Sequence, residues 1–270
     1  MSLPLHCSWA TASHVGKIRR VNEDSLIVFS VEQNSTTQLA VEGTMIVPPM
    51  GVVAAVADGM GGVRGGAFAS KKLQDSLKEL IAKDQYCEPH PTNLHSLINE
   101  INFDILDYAE GDPVFEGMGT TLTLSWLKEG MLHLVNVGDS RLYRLRDNKF
   151  EQLSEDQSFV GKLLRKGEIT PEQARVHPQR NVIDQAVGSH PEGLLPDIST
   201  FSYSVNDIYL LCSDGLNEEL TDECMHEMVK KYPEINLRRV AGMLVDKALA
   251  AGGRDNISII LLSLSKPTED

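Results

Sequence analysis

The 270-residue sequence contains no run of about 20 apolar residues, the length that a membrane-spanning helix needs. Its N-terminus also lacks the basic region, apolar run and small-residue cleavage site of a secretory signal. Only four cysteines are present, without a Cys-x-x-Cys pair, and the eight histidines are dispersed. These absences predict a cytoplasmic protein outside the membrane and disfavour both a disulfide framework and a structural zinc site.

Basic residues are also scarce. The chain has 25 lysines and arginines against 38 aspartates and glutamates, which gives a formal charge of −13. A surface of this sign repels nucleic acid and anionic lipid. We therefore expect neither a nucleic-acid nor a membrane partner, and the surplus carboxylates are available for cations.

The apolar pattern predicts a single domain spanning residues 1–270. Strands occur in sequential groups without regular strand–helix alternation, which favours an antiparallel α+β architecture over a parallel sheet. Residues 154–187 mix short helical patterns with glycine and proline, and we predict a flap insertion there. The predicted strands are 25–31, 52–57, 121–126, 132–137, 141–145, 208–212 and 257–262, and the predicted amphipathic helices cover 73–81, 94–105 and 237–248.

Acidic residues recur where predicted strands end. Asp58, Asp139 and Asp214 follow three apolar runs within Gly-containing turns, and Asp255 directly precedes the last run. Strand ends from distant parts of a chain can meet at one edge of a sheet, where such carboxylates would repel one another unless cations bound among them. Ligation by oxygen alone selects hard ions such as Mg²⁺ or Mn²⁺ over zinc.

Each position also has a purely structural interpretation. Asp-Gly is among the commonest turn pairs, so Asp58 or Asp214 alone would indicate a turn. Asp139 and Asp255 can cap turns through their side chains, and Glu23-Asp24 would ordinarily be a solvated pair. The functional interpretation gains its weight because all five features, the four single aspartates and the Glu23-Asp24 pair, occur together in a fixed order.

That order resembles the type 2C family of metal-dependent serine/threonine protein phosphatases, in its compact bacterial form. Each motif is weak by itself, but six in register along nearly the whole chain are not expected by chance. The motifs are Arg19-x-x-x-Glu23-Asp24, Asp58-Gly59-Met60-Gly61-Gly62, Gly119-Thr120-Thr121, Gly138-Asp139-Ser140-Arg141, Ser213-Asp214-Gly215 and Gly253-Arg254-Asp255-Asn256.

The resemblance implies a fold and a metal site. The fold would be a central β-sandwich of two antiparallel sheets flanked by helices, with two tightly bound Mn²⁺ or Mg²⁺ ions at one end. Asp58 would bridge the ions. Asp214 and Asp255 would complete the ligands of one ion, while Glu23 and the carbonyl of Gly59 would bind the other.

Three further residues take roles from the same resemblance. Asp24 would hydrogen-bond a metal-bound water, Arg19 would grip the phosphate, and Asp139 would join Asp214 in holding a third, weaker ion. A hydroxide bridging the two tight ions would attack phosphoserine or phosphothreonine. The expected partners are phosphorylated proteins, the substrates of a cognate kinase, and the expected state is a monomer.

The sequence departs from the family pattern in three places. Many animal relatives carry histidine as a candidate general acid where this chain has Met60, so the leaving group must receive its proton elsewhere. In the flap, a frequent Asp-His-Ser pattern is replaced by Asp156-Gln157-Ser158. The stretch that begins at Arg180 continues to Gln185, where relatives often carry a basic residue.

Two other functions stay open on the sequence alone. One is a metal-dependent phosphohydrolase that acts on small phosphorylated molecules, since the metal site by itself does not select a protein substrate. The other is a non-catalytic regulator that binds phosphoproteins. Retention of Glu23, Asp58, Asp214 and Asp255 argues against the second, because loss of any one should abolish the site.

Overall fold

The structure is a computed structural model that describes residues 5–267. Its strands form two antiparallel sheets. In chain order, the strands are β1 (His6–His14), β2 (Asp24–Glu32), β3 (Ser35–Gln38), β4 (Glu42–Ile46), β5 (Val52–Met60), β6 (Gly119–Thr120), β7 (Leu122–Lys128), β8 (Met131–Val137), β9 (Arg141–Arg146), β10 (Lys149–Gln152), β11 (Asp197–Ser202), β12 (Ile208–Cys212) and β13 (Ile257–Ser265).

The first sheet has the order β10-β9-β12-β13-β1-β4, and the second has the order β11-β8-β7-β5-β2-β3, with the short β6 paired to β5. Helices cover the outer faces, which gives four layers. They are α1 (Gly62–Ile81), α2 (Pro91–Ala109), a 3-10 turn (Pro113–Phe115), α3 (Phe159–Arg165), α4 (Pro171–Arg175), α5 (Asp214–Asn217), α6 (Asp222–Val229) and α7 (Leu237–Ala251).

The packing of strand β5 explains why its sequence is apolar throughout and does not alternate between apolar and polar residues. Val52, Ala54 and Val56 point between the two sheets, whereas Val53 and Ala55 point toward the helices α1 and α2. Successive strand residues face opposite sides of a sheet, and here both sides are buried. A third apolar layer lies between the first sheet and α6 and α7.

The predicted α+β sandwich is confirmed, and the three predicted helices correspond to α1, α2 and α7. All seven predicted apolar runs lie in strands, although Thr121 itself falls just outside β7. Helix α7 is followed by a glycine in the left-handed region, Gly253, at φ +59°. No helix within residues 5–267 is both long and apolar enough to cross a membrane.

One boundary was wrong in a way that affects the site. The predicted strand 52–57 continues to Met60, so Asp58 and Gly59 lie inside β5 and not in a turn after it. The edge strands β3 and β4 were not predicted, because their polar residues are mostly exposed and form no apolar run. Strand β1 was missed because alternating small and polar residues replace a long apolar run.

Candidate metal centre

The pairing of β2 with β5 places two of the predicted residues side by side. Asp24 lies directly opposite Asp58 in the register of the ladder. Thr121 fixes the Asp58 backbone from the other side, since its hydroxyl accepts the Asp58 N–H at 2.9 Å and its own N–H donates to the Asp58 carbonyl at 2.8 Å. The carboxylates of Asp24 and Asp58 are therefore set by strand geometry.

Glu23 is held by its backbone just before β2 begins. Its N–H donates to Asn256 Oδ1 at 2.7 Å, and its carbonyl accepts hydrogen bonds from the Ser70 hydroxyl at 2.6 Å and the Gly59 N–H at 3.2 Å. Helix α1 approaches so closely that a Cβ on Gly66 would lie 2.6 Å from Glu23 Oε1. A glycine is required there because any side chain would displace the Glu23 carboxylate.

The first sheet contributes Asp214 and Asp255. Asp214 opens the short helix α5 directly after β12, and Asp255 lies just before the adjacent strand β13. Ser213 connects the two sheets, because its hydroxyl accepts the Ser258 N–H at 3.0 Å and donates to Asp24 Oδ2 at 2.7 Å. This contact holds the Asp24 carboxylate in one orientation.

Arg19 lies at the mouth of this group, with its side chain 48% exposed. Its Nη2 donates to Asp255 Oδ2 at 2.6 Å, and its Nη1 lies 3.9 Å from Glu23 Oε2. The guanidinium thus offsets part of the negative charge while remaining accessible to an incoming anion.

Asp139 stands on the side of the group nearest the flap, directly after β8. The preceding Gly138 has φ +95°, and a Cβ there would lie 2.7 Å from the side chain of Thr121. Burial, followed by the charge of Asp156, raises the pKa of Asp139 to about 7. The conformation of Gly138 therefore allows β8 to deliver a carboxylate to this position.

The carboxylates act on one another electrostatically. Burial, and then the charges of Asp24, Asp214, Asp139 and Asp255, raise the pKa of Asp58 well above its ordinary value. Burial, and then the charge of Asp139, does the same to the pKa of Asp214, and burial raises the pKa of Asp24 to about 6. The negative charge is unfavourable at this place unless cations compensate for it.

The oxygen atoms of the site fit divalent cations. Three buried carboxylate oxygens, Glu23 Oε1, Asp24 Oδ1 and Asp214 Oδ1, have no hydrogen-bond partner within residues 5–267. A buried polar atom without a partner is costly, and an oxygen-only set suits Mg²⁺ or Mn²⁺. Within the described ranges, no three His, Cys, Asp or Glu side chains already converge in ligating contact. The carboxylates therefore lie around the site, but their oxygens do not meet at a single ligating position.

The flap is attached to the site through a buried ion pair. Arg141, at the start of β9, binds Asp156 through Nε at 3.0 Å and through Nη2 at 2.6 Å. Gln157, which departs from the family pattern, accepts the Gly138 N–H at 3.1 Å and donates to the Leu195 carbonyl at 3.1 Å. Gln185 also binds the Leu195 backbone. Both glutamine side chains therefore hold the backbone at Leu195 in place.

The flap also contacts the end of α5 and the residues that follow it. Arg175 donates to the carbonyls of Asn217 and Leu220, each at 2.9 Å, and Arg180 Nε lies 3.4 Å from Glu218 Oε1. Between the flap and the sandwich is a cavity of about 390 Å³, whose walls include Asp139, Asp214, Arg180 and Glu218.

Two contributors to this architecture have no predicted role from the sequence. Asn256 belongs to the motif of Asp255, and its side chain binds the Glu23 N–H from the far end of the chain. Ser213 belongs to the motif of Asp214, and its hydroxyl orients Asp24. Their positions directly beside Asp255 and Asp214 were the only signal in the sequence.

Comparison with known proteins agrees with this geometry. The family model described as Protein phosphatase 2C matches residues 42–250. The serine/threonine phosphatase Stp of Listeria monocytogenes is 37% identical over 253 residues, which cover 92% of each chain. The crystal structure of the Mycobacterium tuberculosis serine/threonine phosphatase PstP/Ppp superposes with a TM-score of 0.80 at 34% identity and covers 97% of this chain and 100% of that one.

A second solved structure bears on the metals. It is the catalytic domain of the serine/threonine protein phosphatase PstP in complex with two manganese ions, and it superposes with a TM-score of 0.77 at 32% identity, covering 97% of this chain and 100% of that one. The family match spans most of the sequence, and the structural similarity extends over both sheets and the flanking helices. The chain belongs to the protein phosphatase 2C family.

Proposed function

We propose that this protein is a metal-dependent phosphatase that hydrolyses phosphoserine and phosphothreonine in proteins. The observation that carries the proposal is that carboxylates from both sheets lie near enough to raise the pKa of Asp58, with three buried carboxylate oxygens left without hydrogen-bond partners among the described residues. The serine/threonine phosphatases similar to this chain, one of them solved with two manganese ions, support the substrate class and the metal.

The proposed ligands are those that the family resemblance implies. Asp58 would bridge two Mn²⁺ or Mg²⁺ ions. Asp214 and Asp255 would serve one ion, and Glu23 with the Gly59 carbonyl would serve the other. A divalent pair of this kind lowers the pKa of water and neutralises phosphate oxygens when it is bound.

Side chains of the protein would bind the phosphate and orient a water at the site. Arg19, exposed at the mouth, presents a planar set of donors to phosphate oxygens. Asp24, oriented by Ser213, is placed to accept a hydrogen bond from a water at the site. Met60 carries no transferable proton, so we assign it no part in protonating the leaving group.

The proposed setting is a cytoplasmic monomer that acts on the substrates of a cognate serine/threonine kinase. The open mouth around Arg19 suits a phosphorylated side chain on a protein surface. A preference for nucleotides or sugar phosphates over phosphopeptides would instead favour the small-molecule phosphohydrolase considered above.

Metal removal tests the proposal directly. After chelator treatment, we expect the protein to release no phosphate from a phosphothreonine peptide, and we expect Mn²⁺ or Mg²⁺ to restore the activity. Calcium should restore it poorly, because its larger shell and looser geometry suit a compact paired site badly. Full turnover in excess chelator would contradict the mechanism.

A second test concerns the third, weaker ion. We expect Asp139→Ala to stay folded and to retain both tight Mn²⁺ sites in a calorimetric titration, while its phosphopeptide turnover falls strongly even at saturating metal. The reason is that Asp139 faces Asp214 from the flap side, apart from Glu23. The control is Asp246→Ala on the exposed face of α7. Near-normal turnover of Asp139→Ala would mean that Asp139 only shapes a turn.

A further inference from the structure

The side-chain amide of Asn256 is buried, and all of its hydrogen bonds go to residues outside its own turn. Only 3% of the residue is exposed. Its Oδ1 accepts the Glu23 N–H at 2.7 Å, and its Nδ2 donates to the carbonyls of Val15 and Val21 at 2.9 and 3.0 Å. Both amide donors and the carbonyl oxygen are therefore engaged.

All three partners belong to the segment 15–23, which joins β1 to β2 without regular secondary structure. This segment carries both Arg19 and Glu23. A backbone hydrogen bond also holds the segment against the loop that contains Asp255, since the Lys17 N–H donates to the Gly253 carbonyl at 2.7 Å. Asn256 thus supplies three of the bonds that hold the segment against the loop of Asp255.

The backbone of Asn256 also contacts the other side of the site. A Cβ on Gly215 would lie 1.9 Å from the Asn256 carbonyl oxygen, so α5 packs directly against it one residue after Asp214. One residue therefore touches the segment that carries Glu23, adjoins Asp255 and abuts the helix that opens with Asp214.

We infer that Asn256 is a positioning residue, which sets Glu23 and Arg19 in register with Asp255 and Asp214. The part of this inference that concerns cations rests on the proposed function. Asn256 itself is not assigned as a ligand, and it acts through the backbone that presents the ligands.

A turn cap is the simpler interpretation, and the contacts argue against it. A cap needs only a local bond, and that bond is made by the neighbouring side chain, since Asp255 Oδ1 accepts the Asn256 N–H at 2.8 Å. The side-chain amide of Asn256 instead bonds residues that are 233 to 241 positions away.

The chemistry also selects asparagine at this position. The site needs one acceptor and two donors from one short side chain, which asparagine provides. Aspartate keeps the acceptor for the Glu23 N–H but turns a carboxylate oxygen toward two carbonyls. Alanine removes all three bonds, so the Glu23 N–H and the carbonyls of Val15 and Val21 lose their partner.

The experiment compares Asn256→Asp and Asn256→Ala with the matched control Asn236→Ala. Asn236 caps α7 by accepting the Arg239 N–H at 2.9 Å and touches neither the segment 15–23 nor the site loops. Calorimetric titration with Mn²⁺ should show dissociation constants about 10- to 100-fold higher for both Asn256 variants, the range seen when partners that orient metal ligands are lost. The control should bind Mn²⁺ like the wild type.

A second measurement follows the segment itself, with no metal present. Lys17, Arg19 and Arg20 are exposed sites for trypsin, and release of the segment should speed cleavage there by about tenfold or more in both Asn256 variants. Cleavage in Asn236→Ala should match the wild type, even if its melting temperature falls through loss of the helix cap.

Each outcome is decisive. Folded Asn256 variants with wild-type Mn²⁺ affinity and wild-type cleavage would overturn the inference. It would equally be overturned if both variants lost their cooperative thermal transition while Asn236→Ala kept it, since Asn256 would then be a general core residue. If the wild type binds no Mn²⁺ and hydrolyses no phosphopeptide, the proposed function fails, and the cleavage comparison alone decides the role of Asn256.

Discussion

Asp58→Asn is expected to lower phosphopeptide turnover by about 10³-fold or more at saturating Mn²⁺. Burial and the charges of Asp24, Asp214, Asp139 and Asp255 all raise the pKa of Asp58. If Asp58 holds a metal pair as proposed, losing its charge removes several kcal/mol of transition-state stabilisation, and about 1.4 kcal/mol corresponds to tenfold in rate. Steady-state kinetics on a phosphothreonine peptide measure the loss, and calorimetry should show that the variant no longer binds two tight ions.

The same substitution should raise the stability of the metal-free protein. A carboxyl group whose pKa is higher in the folded than in the unfolded state weakens the fold at neutral pH, and burial together with like charges raises the pKa of Asp58. The neutral amide removes this cost. We expect the melting temperature in chelator to rise by a few degrees, since 1 kcal/mol shifts it by roughly 2–4 °C in a chain of similar size.

The matched control for both effects is Asp75→Asn. Asp75 is an exposed residue on α1 that pairs with Lys71 and Lys78, outside the carboxylate group. It should change neither turnover nor, by more than a fraction of a degree, the melting temperature. A lower melting temperature for Asp58→Asn would mean that its carboxylate stabilises the metal-free fold, contrary to the electrostatic argument.

Asp255→Asn and Arg19→Ala should separate metal binding from phosphate capture. Asp255→Asn removes a proposed ligand, so Mn²⁺ affinity and kcat should both fall severely. Arg19→Ala should raise KM for the phosphopeptide while Mn²⁺ affinity stays at or above the wild-type value. The physical reason is that Arg19 places its positive charge 2.6 Å from Asp255 Oδ2, where it competes with a cation.

Calorimetric Mn²⁺ titration and kinetics on the same variants check this contrast. Arg20→Ala is the natural control, because Arg20 is a neighbouring exposed arginine outside the motif register. We expect it to behave as the wild type in both measurements. Equal loss of Mn²⁺ binding in Asp255→Asn and Arg19→Ala would show that Arg19 holds the site together and does not serve the phosphate.

Apolar runs report burial directly, and they predicted the strands and the antiparallel α+β architecture, whereas the two-sheet sandwich was implied by the family resemblance. The run at β5 is apolar on both faces, since helices cover one side and the second sheet the other. Edge strands carry little of this signal, and β3 and β4 were accordingly missed. The order of acidic motifs singled out Asp24, Asp58, Asp139, Asp214 and Asp255, whose charges act on one another in the structure. That these residues bind ions stays a prediction.

The supporting contacts were beyond sequence reasoning for a different reason. Ser213 orients Asp24, and Asn256 binds the segment before Glu23, through hydrogen bonds that depend on how two sheets stack. Serine and asparagine are common in turns, so their types alone do not reveal a distant partner. The glutamines of the flap are similar, since only the structure shows that Gln157 and Gln185 anchor the backbone at Leu195.

The ladder between β1 and β13 pairs His6 with Ser265 and His14 with Ile257, close to the two ends of the described chain. Pairings this distant in sequence are slow to form, because the whole intervening chain must first be brought into place. During synthesis, Glu23 and Asp58 leave the ribosome long before Asp255 and β13 do. The carboxylate group is therefore completed only after residue 265 has been released, and a nascent chain that stops earlier has no assembled site.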